Sequence, residues 1–253
     1  MAPYARMRDR DLAREDGLFV AEGEVVVRVL ARGRFRVRSL LVEERRAAAM
    51  RDVIDALDAD VSVYVATQAV MDAVVGFSIH RGVLALGERG APLDPAKLLA
   101  ESESKTALGL VGLTNHDNVG GIFRNAAAFG ARPVLLDAAT CDPLYRKAIR
   151  VSVGGALLVP FARAPSGDAL LDVIEAAGWE ALALSARGER TLGDAMRAEP
   201  SKRRVLLLGT EGEGLPASVM RRARGVRIDM APGLDSLNVA VASGIALYEA
   251  SRS

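Results

Sequence analysis

Cysteine occurs once in this chain of 253 residues, at Cys141, and histidine only twice, at His80 and His116. One thiol excludes an internal disulfide and a cysteine-rich zinc or iron–sulfur site; two distant histidines do not make a metal cluster, so no metal is expected. Aromatic residues are 4% of the chain, so base stacking on aromatic platforms is not expected to dominate any contact with nucleic acid. The formal charge is only +1, and any attraction to a polyanion must come from local basic patches. No apolar run reaches the roughly 18–20 residues of a spanning helix. The opening RMRDRDLARED alternates charges where a secretory signal would carry an apolar core. A soluble, cytoplasmic protein with no membrane contact is expected. Three familiar site signatures are missing too: the strand-to-helix loops lack G-x-G-x-x-G, and neither G-K-[ST] nor G-x-S-x-G occurs.

Half the residues are hydrophobic, enough for one large core or two smaller ones. GLFVAEG, EVVVRVLARG, RVRSLLVEE, ALDADVSVYVATQAVMDAVVG and HRGVLALGE alternate between strand-like and helix-like patterns, which predicts a small α/β unit within residues 1–90. GERGAPLDPAKLLAESESK is rich in Gly, Pro and charge and reads as a linker over 91–105. From 106 to 253 longer apolar runs return: ALGLVGL, ARPVLLD, ALLVPFA, EALALSA, RVLLLGT and VRIDM. They predict strands buried on both faces of a mostly parallel sheet, with sites at the strands' carboxyl ends.

Three loop-to-helix corners in this second part carry the polar residues. The first, NHDNVGGIFRNAAAFG, gathers Ile122, Phe123, Ala126, Ala127 and Gly130 on one helical face and leaves Arg124 off it. On the residues alone, Arg124 is a surface cation or a functional one, and Asn118 a helix cap or a ligand. The second corner, LLLGTEGEGLP, ends a buried strand in glycines around Glu211, which fits a tight turn or a ligand cradle. The third, RIDMAPGLDSLNVAVASGIALYEA, offers Ser236 or Asn238 as cap of a final helix that is apolar nearly all round, so the domain or a partner subunit must enclose it.

In order and spacing the three corners resemble the signature motifs of the SpoU (TrmH-like) branch of the SPOUT methyltransferases, over residues 107–250. Asn118, Gly120, Ile122, Arg124, Phe129 and Gly130 fit the first motif; Gly209, Glu211, Gly214 and Leu215 the second; Met230, Ser236, Leu237 and Asn238 the third. RKAIRVSVGGAL, residues 146–157, looks like the family's segment between the first two. Asn115-His116-Asp117 departs from the Asp-Pro that many members carry before the motif-one asparagine.

The resemblance implies methyl transfer from S-adenosyl-L-methionine to a ribose 2′-hydroxyl of RNA, ribosomal RNA rather than transfer RNA. It further implies a C-terminal deep trefoil knot and a homodimer. The catalytic residues it implies are Asn118, Arg124, Glu211, Ser236 and Asn238; the cofactor-binding residues are Leu208, Gly209, Glu211, Gly214, Met230, Ser236 and Leu237. Glu211 then either orients a partner, Arg124 among the candidates, or has a structural role. The N-terminal unit resembles a small ribosomal-protein-like substrate-binding domain. Its Arg28, Arg32, Arg34, Arg36 and Arg38, without an intervening acid, suit RNA phosphates, and Arg146, Lys147 and Arg150 extend that surface. A transfer-RNA ribose methyltransferase, an inactive RNA-binding assembly factor of the same fold, and a nucleotide-dependent enzyme on an open α/β sheet are the competing readings.

Overall fold

The alternating patterns become two separate β-sheets. The computed structural model describes Tyr4, Ala13 and residues 17–75, 82–231, 233 and 236–252. Most of RMRDRDLARED, His80 at the head of HRGVLALGE, and residues 232, 234 and 235 lie outside the described residues. In chain order the first elements are β1 (Leu18–Glu22), α1 (Glu24–Arg32), β2 (Val37–Glu43), α2 (Glu44–Ala47), α3 (Arg51–Ala56), β3 (Ser62–Ala66), α4 (Gln68–Val75) and β4 (Val83–Glu88). Then follow α5 (Pro95–Glu101), β5 (Thr106–Leu110), α6 (His116–Phe129), β6 (Val134–Leu136), α7 (Arg146–Val151), α8 (Gly155–Leu158), β7 (Phe161–Arg163) and α9 (Gly167–Ala176). The last are β8 (Glu180–Leu184), β9 (Arg190–Thr191), α10 (Leu192–Ala198), β10 (Arg204–Leu208), α11 (Ala217–Arg222), β11 (Arg224–Arg227) and α12 (Val239–Ala250).

The chain divides into two compact units, and the division differs from the expected split at residues 91–105. Leu144–Leu158 groups with the N-terminal part up to Ala91, while Pro92–Pro143 and Val159–Ser253 form the second unit. The first unit holds a four-stranded sheet in the order β1-β4-β2-β3. Helix α7 packs against β1, the strand at one edge of this sheet. Gly154 lies against Val29 of α1, and Arg150 reaches the buried carboxylate of Glu22 at 3.9 Å. The expected strand ALLVPFA, residues 156–162, is corrected in its first part only, since Phe161 and Ala162 do open β7. Ala156–Leu158 belongs to α8, because the buried Ser152 hydroxyl accepts from Ala156 N and starts a helical turn. A short apolar run cannot by itself distinguish the two.

The expected linker also holds structure. Asp94 caps α5 by accepting from Lys97 N, Pro95 takes the first turn, and Leu99 is fully buried. The second unit's sheet has the order β7-β6-β5-β10-β8-β11-β9, with every strand pair parallel. Every residue of β10, the central strand, is buried; this is why RVLLL reads as one apolar run. From β5 the chain moves outward through β6 and β7, then crosses to β8 on the other side, which places the reversal of strand order between β5 and β10. Ligands of open parallel sheets bind outside the carboxyl ends at such a point. Register matters here: Leu208 pairs with Leu110, so the loops after β10 and β5 emerge side by side.

A charge cluster closes the opposite end. Arg204 is 3% exposed and its Nε donates to Glu180 Oε2 at 3.1 Å, while Arg224 and Lys202 approach Glu180 Oε1 at 3.2 and 3.6 Å. Burial would raise the Glu180 carboxyl, but the hydrogen bonds from Arg204 and Arg224, with Lys202, hold it below its ordinary value. The stability it contributes is present above the ordinary glutamate range and is lost as pH falls through the depressed value. Glu180→Ala leaves Arg204 charged and buried. It is expected to destabilise the second unit by about 3 kcal/mol, read by denaturation through the fluorescence of Trp179, the chain's one tryptophan.

Candidate active site

Helix α6 starts earlier than its apolar stripe suggests. Asn115 caps it, Oδ1 accepting from Asp117 N at 2.8 Å, Asp117 lies in the first turn, and Gly130 ends it in the left-handed region. Asn118 is therefore a residue of the first turn and not the cap. Arg124 lies more than two turns in, where a cation no longer opposes the helix dipole.

Asn118 is 5% exposed, and its Nδ2 donates to Glu211 Oε1 at 2.8 Å. Asn238 caps α12, its Oδ1 accepting from Ala240 N and Val241 N at 3.0 and 3.2 Å. Its Nδ2 faces Asn118 Oδ1 at 2.9 Å and Glu211 Oε1 at 2.7 Å. The three corners thus close into one triangle, Asn118–Glu211–Asn238. The carboxylate organises two carboxamides and keeps its second oxygen available. Arg124 is not part of this triangle. It is exposed and has no hydrogen bond or ion pair among the described residues; of the partners open to Glu211, the fold supplies Asn118 and Asn238.

The loop of Glu211 is held from both ends. Leu208, Gly209 and Leu215 are buried. Thr210 and Gly214 exchange backbone hydrogen bonds at 3.2 and 3.1 Å, closing a tight turn around Glu211, Gly212 and Glu213. A Cβ on Gly209 would meet Gly214 C at 2.4 Å and Leu215 N at 2.5 Å, so only glycine fits. Met230 is half-buried, and Ser236 and Leu237 are exposed beside Asn238.

Helices α6 and α12 meet along a seam that none of the three motifs marks. Asn125 Nδ2 donates to Ala240 O at 2.7 Å and Ser243 Oγ at 2.9 Å; Gly121 packs so closely that an added Cβ would lie 2.8 Å from Ala240 Cβ. The signal was present. Asn125 sits two helical turns after Asn118 on one face, and Ser243 and Gly244 interrupt an apolar helix. The other face of α12 leaves Val241, Ile245 and Tyr248 exposed, with Leu237 nearby in sequence and Phe129 edge-on to Tyr248 at 6.2 Å.

The basic candidates all fall in the first unit, in different states. Arg28 pairs with Glu24 and Asp52, Arg36 with Asp60 and Glu88, and Arg150 with Glu22. Arg34 lies over the Phe35 ring at 4.1 Å. Arg32 is 4.0 Å from Asp52 and strongly exposed; Arg38 is exposed with no partner among the described residues. Lys147 is exposed and Arg146 half-buried. Burial, with Asp142 adding to it, pushes the Cys141 thiol up to about 11, so Cys141 supplies no thiolate at neutral pH. Among the described residues no group of three or more His, Cys, Asp or Glu could hold a metal ion, and no helix is long and apolar enough to cross a membrane.

Comparison with known proteins points the same way. An uncharacterized tRNA/rRNA methyltransferase of Mycobacterium bovis is 40% identical over 248 residues, 97% of this chain and 85% of the relative. The crystal structure of an AdoMet-bound rRNA methyltransferase from Sinorhizobium meliloti superposes with a TM-score of 0.80 at 27% identity, covering 96% of this chain and 90% of that one. A solved RNA 2′-O ribose methyltransferase gives 0.76 at 27% identity, covering 98% and 96%. The SpoU rRNA methylase family matches residues 105–248, across all three corners. The chain belongs to the SpoU rRNA methylase family.

Proposed function

We propose that the protein transfers a methyl group from S-adenosylmethionine to a ribose 2′-hydroxyl of RNA, ribosomal RNA in preference to transfer RNA. The observation that carries this reading is the Asn118–Glu211–Asn238 triangle at the carboxyl ends of β5 and β10, with Arg124, which has no partner among the described residues, on the same helix as Asn118. One structural relative is an RNA 2′-O ribose methyltransferase and another an AdoMet-bound rRNA methyltransferase, which supports the substrate class and the cofactor.

The residues present suit that cofactor. The closed turn from Gly209 to Leu215 offers backbone groups, and Glu211, Asn238 and Ser236 offer polar side chains beside Met230 and Leu237. S-adenosylmethionine supplies a sulfonium methyl, an electrophile that needs no metal. The protein's task is to orient the ribose hydroxyl and stabilise charge as its proton leaves. A guanidinium is always protonated and cannot be the base. Arg124 therefore clamps the RNA phosphate and the developing alkoxide, an oxygen of that phosphate takes the hydroxyl proton, Asn118 and Asn238 line the site, and Glu211 fixes both amides.

The segments from Leu206 to the C-terminus are read as a deep trefoil knot. The exposed face of α12, with Val241, Ile245 and Tyr248, is read as the contact with a second copy in a homodimer. The N-terminal unit docks RNA, and the protein works in the cytoplasm. Since Arg32 and Arg38 are not held as Arg28 and Arg36 are, each is expected to carry its own phosphate contact. Arg32→Ala and Arg38→Ala are expected to lower the salt dependence of RNA binding by about one contact each, and Arg28→Ala and Arg36→Ala by less; filter binding across a salt series checks this. Calorimetry with S-adenosylmethionine tests the enzymatic reading itself. Saturable binding supports it, and no binding would leave an RNA-binding assembly factor of the same fold.

A further inference from the structure

The turn after β6 forms a polar knot that the proposed chemistry does not use. Asp137 is 6% and Thr140 2% exposed. The two Asp137 carboxylate oxygens accept from Gly112 N at 3.1 Å each, and Oδ1 also accepts from Thr140 N at 2.8 Å. The Thr140 hydroxyl lies 2.7 Å from Asp137 Oδ1 and 3.1 Å from Leu110 O, and it accepts from Leu113 N at 3.3 Å. Cys141 N donates back to Leu113 O at 2.8 Å. From β7, Arg163 Nη1 donates to Asp137 O and Thr140 O at 2.9 and 2.8 Å, and Nη2 to Cys141 O at 3.2 Å. One guanidinium thus fixes the 137–141 turn, and the turn fixes the loop from Leu110 to Leu113.

That loop leads directly to Asn115, the cap of α6, and Asn118 follows in the first turn. It also touches the opposite side of the site: Gly112 has φ +72, and a Cβ there would lie 3.0 Å from Thr210 Cγ2, next to Glu211. Buried side chains do not spend hydrogen bonds on surface loops at random, because each such donor and acceptor left unmatched carries a desolvation cost. Here Asp137 and Thr140 direct theirs to the two amides, Gly112 and Leu113, that set where α6 begins.

We propose that Asp137, Thr140 and Arg163 are positioning residues that hold the β5–α6 loop so that Asn118 meets Glu211 and Asn238. This rests on the methyl-transfer reading for its kinetic consequence and on the loop geometry alone for its structural one. Small displacements of oriented groups cost rate more than affinity. A variant that loosens the loop lowers kcat and leaves KM nearly in place.

The test uses the full chain with Asp137→Asn, Thr140→Val and Thr140→Ser, reading methyl transfer to total RNA and amide exchange of peptides covering residues 110–116. Thr140→Val is expected to lower kcat by roughly tenfold to a hundredfold, with KM for S-adenosylmethionine changed less than about threefold. Exchange at 110–116 rises, and Thr140→Ser restores both. Asp137→Asn follows Thr140→Val. A wild-type chain that transfers no methyl group would overturn the methyl-transfer reading, and the exchange measurement then decides the positioning by itself. Unchanged protection of 110–116 in both Thr140→Val and Asp137→Asn overturns the proposal, as does full kcat in both when the wild type is active.

Discussion

Arg124→Ala is expected to reduce methyl transfer by about a hundredfold to a thousandfold while the protein melts at nearly the wild-type temperature. Both halves follow from the same observation. Arg124 is exposed, makes no hydrogen bond or ion pair among the described residues, and lies off the face of α6 that buries Ile122, Phe123 and Ala126. Truncating such a side chain changes stability by no more than about 0.5 kcal/mol. On the proposed reading, its guanidinium stabilises negative charge that develops on the ribose oxygen, an interaction stronger in the transition state than before it. The loss should fall mainly in kcat, and Arg124→Lys should recover only part of it, because a planar fork reaches a phosphate and an alkoxide together where an ammonium does not. Equal rates for Arg124→Ala and wild type would remove Arg124 from the mechanism.

Gly209→Ala should act on the other side of the site, and more severely. The added methyl carbon would lie 2.4 Å from Gly214 C, 2.5 Å from Leu215 N and 2.6 Å from Gly214 O. All three are backbone atoms, so no side-chain rotation relieves the clash. The turn must open, breaking the paired bonds between Thr210 and Gly214 and moving Glu211 away from Asn118 and Asn238. A destabilisation of about 1–3 kcal/mol from overpacking is expected, together with at least a roughly tenfold loss of S-adenosylmethionine affinity in calorimetry, about 1.4 kcal/mol. Gly212→Ala is the control. Its φ of +97 strains an alanine, but nothing lies within 4 Å of the added carbon, so the turn stays closed and binding falls far less. If the two variants bind equally well, the closed turn is not the cofactor's cradle.

The parts of this structure that sequence made legible share one physical property: they depend on neighbours in the chain. ALGLV and RVLLL announce buried parallel strands because both faces are covered. Asn118, Glu211 and Asn238 read on their own as possible caps or turn residues and stand out through the resemblance of their motifs; the register of β5 and β10 brings the segments leading to Asn118 and Glu211 together. What stayed hidden depends on distant partners. Ala156–Leu158 is apolar enough for strand or helix, and Ser152 decides it. The segment 144–158 belongs with the first unit through Glu22 and Val29, far away in sequence. The partner of Glu211 was open in the sequence, with Arg124 one candidate by charge; in the fold the carboxylate is satisfied by two neutral amides. The Asp137 bracket leaves almost no trace in sequence, since an Asp and a Thr near a strand end are ordinary turn residues.

Transfer of a methyl group to a ribose oxygen is tested directly by incubating purified protein with S-adenosylmethionine labelled at the methyl group and with unmodified ribosomal RNA. Label is expected at one nucleotide whose 3′ phosphodiester resists alkaline cleavage, the mark of a blocked 2′-hydroxyl. The label is expected to be lost with Arg124→Ala. Label recovered on a base, or RNA left unlabelled by protein that binds S-adenosylmethionine, would contradict transfer to the ribose.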